Sequence, residues 1–215
     1  MAAVSKLFTI GIILLSITAG LISYRFLGEL SKEKKKKHME ELISQLINFV
    51  IFIWLAKILL NISLFISDPL VVLAYPAGSD AFYLAVVFSA SQLFYKSRQG
   101  HRDMLSFMDA FVHTFLVASF VYEFIQLVWN GDTYAFGYLS VLITLLAVYI
   151  LIHGYVKTEI LLMVMLIGWT AGMILLSRLQ PFVSVFGYLM EEWFILLFFM
   201  TSLMVLIFCQ RKKGY

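Results

Sequence analysis

Apolar residues along this chain come in long runs broken by short polar or turn-forming stretches, without the strict alternation of a half-buried strand. A helix needs about 20 mostly apolar residues to cross the hydrocarbon core of a bilayer, and it must satisfy its own backbone N–H and C=O groups because lipid cannot. Seven runs meet or approach that length, at 7–24, 42–66, 80–95, 105–129, 135–152, 159–177 and 190–209, the third being the shortest. The breaks between them are Arg25 to Glu41, Ser67-Asp68-Pro69, Lys96 to Asp103, Asn130-Gly131-Asp132, His153 to Lys157 and Arg178 to Gly187. The expected fold is all-α, a polytopic membrane protein of seven transmembrane helices forming one transmembrane domain over 1–215. No internal repeat is visible, and Lys34 to Lys37 is the one low-complexity stretch.

Composition agrees with that picture. Of 215 residues, 62% are hydrophobic and 13% charged, against roughly 45–50% and 25% in an average soluble domain, which excludes an ordinary water-soluble globule. The abundance of Phe and Tyr and the scarcity of Pro exclude a disordered or collagen-like chain. A single cysteine excludes an internal disulfide framework and any multi-cysteine metal site supplied by this chain alone. The formal net charge of +3 is too small to argue for a nucleic-acid partner, but the placement of the basic residues is informative. Counted on alternate sides of the seven runs, thirteen of the sixteen Lys and Arg fall on one side, Lys6 and Arg178 fall on the other, and Lys57 lies inside a run. Basic residues stay on the cytoplasmic side, so the N-terminus is expected outside and the C-terminus in the cytoplasm of a multi-pass cell-membrane protein. The lone lysine before the first run and the basic block after it favour a retained span over a cleaved signal peptide. Lys34 to Lys37 read first as a topology signal, since Glu29, Glu33, Glu40 and Glu41 dilute their attraction for anionic lipid.

Four ionisable residues fall well inside a run: Lys57, Asp109, His113 and Glu123. A charge at such depth is costly unless it is paired or faces water, so each is a candidate functional residue. On a helix at about 100° per residue, His113 and Glu123 lie about 40° to either side of Asp109, and the three share one face. Lys57 and Glu123 differ in depth by about 5 Å at about 1.5 Å per residue, which makes a buried ion pair the expected arrangement. Catalytic signatures such as Gly-x-Ser-x-Gly, a Walker loop or His-Glu-x-x-His are missing. The histidines at 38, 101, 113 and 153 have no metal-ligand spacing, so neither a metal nor another cofactor is expected. Cys209 reads as a small packing residue.

The order of these features resembles the bacterial prolipoprotein diacylglyceryl transferases, which have seven spans with the same orientation. The resemblance rests on Ile10-Gly11-Ile12 with Ala19-Gly20, on Ala56-Lys57 where many members carry Ala-Arg, and on the basic loop leading into Phe107-Met108-Asp109-Ala110. It continues through Trp169-Thr170-Ala171-Gly172 and the basic tail from Phe208 to Gly214. It spans nearly the whole chain, in order and hydropathy more than in identities. The family's signature positions are replaced. Its His-Gly-Gly histidine, counted back from Asp109, falls at Tyr83, and its Gly-Arg-x-Gly-Asn segment corresponds to Tyr122-Glu123-Phe124-Ile125-Gln126. The family's later arginines fall near Met173 and Gln180, with Arg178 close by. A glutamate in place of an arginine should repel an anionic phosphate.

The resemblance therefore implies an inner-membrane protein that binds a phospholipid, such as phosphatidylglycerol, or a membrane-protein partner, with transferase chemistry weakened or lost. The alternative is an active transferase moving a diacylglyceryl or acyl group to a lipoprotein precursor, with Tyr83, His113 or Glu123 in new catalytic roles. Lys57, Asp109, Glu123, Gln126 and Arg178 form the expected lipid-binding or buried polar set. A small-solute transporter is the third reading, and the chain lacks the paired, broken helices that would support it.

Overall fold

A computed structural model of the chain describes residues 2–27, 31–98 and 104–213. His101 and Arg102 of the basic loop lie outside the described residues, as do the side chains of Lys6, Arg98, Cys209 and Arg211 to Lys213. The described helices are α1 (Ala2–Leu27), α2 (Lys32–Leu60), α3 (Ile62–Ser67), α4 (Pro69–Ala74), α5 (Ser79–Arg98), α6 (Met104–Trp129), α7 (Ala135–Ile152), α8 (Thr158–Leu179) and α9 (Glu192–Lys213). Between α8 and α9 the chain forms an antiparallel hairpin of β1 (Ser184–Val185) and β2 (Tyr188–Leu189).

Among the described residues, five helices are long and apolar enough to cross a bilayer: Phe8–Leu27, Lys32–Leu60, Met104–Trp129, Ala135–Ile152 and Thr158–Leu179. Glu192–Ile207 is a shorter apolar helix. The region 80–95 folds as α5, which has the length of a span but is diluted by Asp80, Ser89, Ser91, Gln92 and Lys96 and is not among the five. The run at 42–66 is interrupted at Asn61, whose side-chain amide donates to the Lys57 carbonyl at 2.9 Å. Its helix also starts earlier than expected, at Lys32, so the lysine block is helical. Leu14, Leu15, Val50, Ile51, Leu55 and Ile150 are exposed on these helices, as a lipid-facing surface requires. Exposed Trp129, Tyr155 and Trp193 sit at or beside helix ends, where aromatic side chains favour the membrane interface.

The chain divides into two compact units, Met1–Met39 with Asp103–Tyr215, and Glu40–Arg102. The first is organised around α6, which packs against α1, α7, α8 and α9 and buries residues from Met104 to Glu123. Lipid supplies no hydrophobic drive between helices, so close approach and packing hold such a bundle. Gly20 lets α1 approach α6 so closely that a Cβ there would lie 2.5 Å from the Thr114 carbonyl oxygen. Gly168 and Gly172 play the same part on α8, where added Cβ atoms would meet Leu145 and Val141 of α7. In the second unit α2 and α5 meet through edge-on Phe49–Phe82 and Phe52–Phe88 contacts and through the Asn48 amide donating to Gln92 at 3.4 Å.

The hairpin is a departure from the expected all-helical pattern. Its two central residues, Phe186 (φ 51°) and Gly187 (φ 83°), both take left-handed backbone angles, the geometry of a tight turn that matches strand twist. Phenylalanine rarely adopts that conformation, at a cost of order 1–3 kcal/mol. What offsets it is the ring, which packs edge-on against Phe115 at 6.1 Å and Tyr122 at 5.3 Å. Tyr122 lies seven residues from the end of α6, so the hairpin tip reaches about 10 Å below that end. Non-helical backbone at such depth is tolerated only against protein or a water-filled space.

Candidate functional site

Three polar assemblies stand out, two in the first unit and one in the second. At the start of α6, the Asp109 carboxylate accepts a hydrogen bond from the Tyr149 hydroxyl at 2.8 Å, and His153 Nε2 lies 3.5 Å from its other oxygen. One turn further on, His113 Nε2 is 3.0 Å from the Ser23 hydroxyl, and its ring stands edge-on between Tyr24 (5.8 Å) and Tyr149 (5.5 Å). The Tyr24 hydroxyl then meets His38 Nδ1 at 3.2 Å. Tyr24, His38, His113 and Tyr149 are all buried. This network ties α1, the first turns of α2, α6 and the end of α7 through polar groups that would be costly if unmade.

The second assembly lies toward the other end of α6. Glu123 is 3% exposed, and its Oε1 has no hydrogen-bond partner among the described residues. It lines a small, mostly polar cavity with Asp132, Tyr134, Tyr138, Gln180 and Ser184. The Tyr138 hydroxyl accepts from the Trp169 indole at 2.9 Å, and the Gln180 amide donates to the Tyr134 carbonyl at 3.2 Å. Asp132 holds the α6–α7 turn by accepting from the Tyr134 N–H at 3.0 Å.

The third assembly surrounds Lys57, which is 9% exposed. Asp68 caps α4 by accepting from the Val71 N–H at 3.2 Å, with Pro69 in the first turn. The far end of that short helix presents the carbonyls of Leu73 and Tyr75, and the Lys57 ammonium donates to both. A cation at the electronegative end of a helix is favourably placed. The Trp54 ring centroid lies 5.9 Å from the same nitrogen. Beside it opens a cavity of about 360 Å³ with Asn61, Tyr75 and Asp80 as polar lining and Leu60, Leu64 and Val72 as apolar lining.

The expected site residues therefore separate. Asp109 and His113 belong to one network, and Glu123, about 15 Å further along α6 by helical rise, belongs to another assembly. Lys57 and Glu123, which depth alone would pair, fall in different units. Gln126 accepts from the Asn130 amide at 2.5 Å and helps close the end of α6. Arg178 forms an exposed ion pair with Glu192 at 2.9 Å, a type worth about 0–1 kcal/mol. Tyr83 is buried on α5 against Phe82. Ser23, Tyr24 and Tyr149 are not marked in the sequence, because tyrosines and serines inside apolar runs carry no distinguishing signal. His38 and His153 were visible only as loop residues.

Apolar helices of this number and length define a multi-pass integral membrane protein. No family model, no curated protein and no solved structure matches the chain.

Proposed function

We propose that this is a seven-span cell-membrane protein, N-terminus outside and C-terminus cytoplasmic, that holds a phospholipid headgroup at the Lys57 cavity. In this reading it is a relative of the prolipoprotein diacylglyceryl transferases in which transferase chemistry is weakened or lost. The observation that carries it is the cavity itself, whose about 360 Å³ falls within the range of ligand pockets. A buried ammonium and the Asn61 amide suit a headgroup phosphate, and the Asp80 carboxylate suits the hydroxyls of a glycerol headgroup. Leu60, Leu64 and Val72 suit the start of the acyl chains. The test is lipid retained through purification, measured by mass spectrometry. Lys57→Met is expected to lose most of the phosphatidylglycerol that the unmodified protein carries, and equal retention would refute the headgroup site.

The enzyme alternative draws support from one contact, His113 Nε2 within hydrogen-bond reach of the Ser23 hydroxyl, the geometry of a base beside a nucleophile. Expression in cells depleted of the authentic transferase separates the readings: no rescue of growth or lipoprotein modification is expected, and rescue would establish the enzyme. The topology has its own test. With Cys209→Ser as background, cysteines at Asp68, Asp132 and Arg178 should react with an impermeant thiol reagent on intact cells, and those at Lys36 and Lys157 should not. The reverse pattern would overturn the orientation.

A further inference from the structure

We infer that the Glu123 cavity is a binding site for a calcium ion, independent of the lipid reading above. Glu123 is almost wholly buried, yet its Oε1 has no hydrogen-bond partner among the described residues and it faces the small polar space. A buried polar oxygen without a partner is unfavourable and calls for a ligand. The lining supplies oxygen donors: the carboxylates of Glu123 and Asp132, the Tyr138 hydroxyl, the Gln180 amide oxygen and the Ser184 hydroxyl. Only one oxygen of Asp132 is used by the turn, through the Tyr134 N–H. A set of hard oxygens with two carboxylates and no sulfur, the one side-chain nitrogen being the Gln180 amide that already donates to the Tyr134 carbonyl, selects a hard divalent cation.

Size narrows the choice. The free volume is about 10 Å³, roughly that of a single water, which leaves no space for the carbon of an organic ammonium. It also leaves none for the hydration shell that magnesium gives up reluctantly, whereas calcium accepts full coordination by flexible protein oxygens. With two carboxylates rather than three or four, affinity should fall in the weak range of about 0.1–1 mM. Such an ion would join α6, the α6–α7 turn, α7 and the first arm of the hairpin, since Glu123, Asp132, Tyr138 and Ser184 come from those four segments.

The test is thermal unfolding of the purified full chain in detergent, with CaCl2, MgCl2 or NaCl added at matched ionic strength. At 10 mM, CaCl2 should raise the Tm by roughly 3–10 °C, and MgCl2 and NaCl by less than a third of that. Glu123→Gln and Asp132→Asn should each abolish the calcium shift. Both are near-isosteric, and Asp132→Asn keeps the acceptor that holds the turn, so both should fold. Isothermal titration of the unmodified protein with CaCl2 should give one site, lost in either variant. No calcium shift, a shift of equal size with MgCl2 or NaCl, or a shift that survives in both variants would each overturn the assignment.

Discussion

Gly20→Ala is expected to lower the Tm of the detergent-solubilised protein by roughly 2–12 °C, the equivalent of about 1–3 kcal/mol of overpacking. The added methyl would press on the Thr114 carbonyl oxygen, a backbone atom that cannot rotate away, and on the Thr114 methyl at 3.1 Å and the Ala118 methyl at 3.3 Å. Helix α1 would have to withdraw from α6. Gly11, on the same helix, has nothing within 4 Å of where its Cβ would stand. Gly11→Ala should therefore leave the Tm unchanged or raise it slightly, because alanine is the better helix former. Equal responses at the two positions would show that α1 does not meet α6 along this face.

Asp109→Ala should be about as damaging, for the opposite reason. It removes the acceptor of the Tyr149 hydroxyl and the neighbour of His153, and breaking a part-buried, charge-assisted hydrogen bond of this kind costs roughly 1–3 kcal/mol. Tyr149→Phe takes away that donor while sparing the ring, which still packs against His113. In the Asp109→Ala background, Tyr149→Phe should then restore part of the lost stability. A double-mutant cycle in detergent measures this, and strict additivity would show that the hydrogen bond is not a working element of the network.

Hydropathy made the helices after residue 104 legible almost to the residue. The runs at 105–129, 135–152 and 159–177 correspond to Met104–Trp129, Ala135–Ile152 and Thr158–Leu179. These segments end at strong signals: Asn130-Gly131-Asp132, a Gly154 turn, and Pro181 shortly after Leu179. The second run was harder, because Asn61 is a single polar residue in an apolar stretch and its break depends on a side chain folding back on Lys57. The hairpin escaped because its turn places Phe186 where asparagine or aspartate usually announces such geometry. For the polar assemblies, periodicity placed Asp109, His113 and Glu123 on one helix, α6. It could not tell that four positions from other helices complete the first assembly, since a sequence records spacing along one helix and not which neighbour arrives beside it.

The hairpin between α8 and α9 also bears on the order of assembly. Its ladder pairs Ser184 with Leu189 and Val185 with Tyr188, and the Met190 N–H reaches the Val183 carbonyl at 2.8 Å. Non-helical backbone of this kind is not tolerated in bare lipid and needs protein or water beside it. Helices α8 and α9 therefore cannot settle in the bilayer as a self-sufficient pair, because the ribbon between them needs the aromatic wall of Phe115 and Tyr122 to receive it. A growing chain delivers that wall on α6 well before residue 184 is made. The ribbon can therefore seat only once that wall is in place, and its docking fixes the α8–α9 connection against α6.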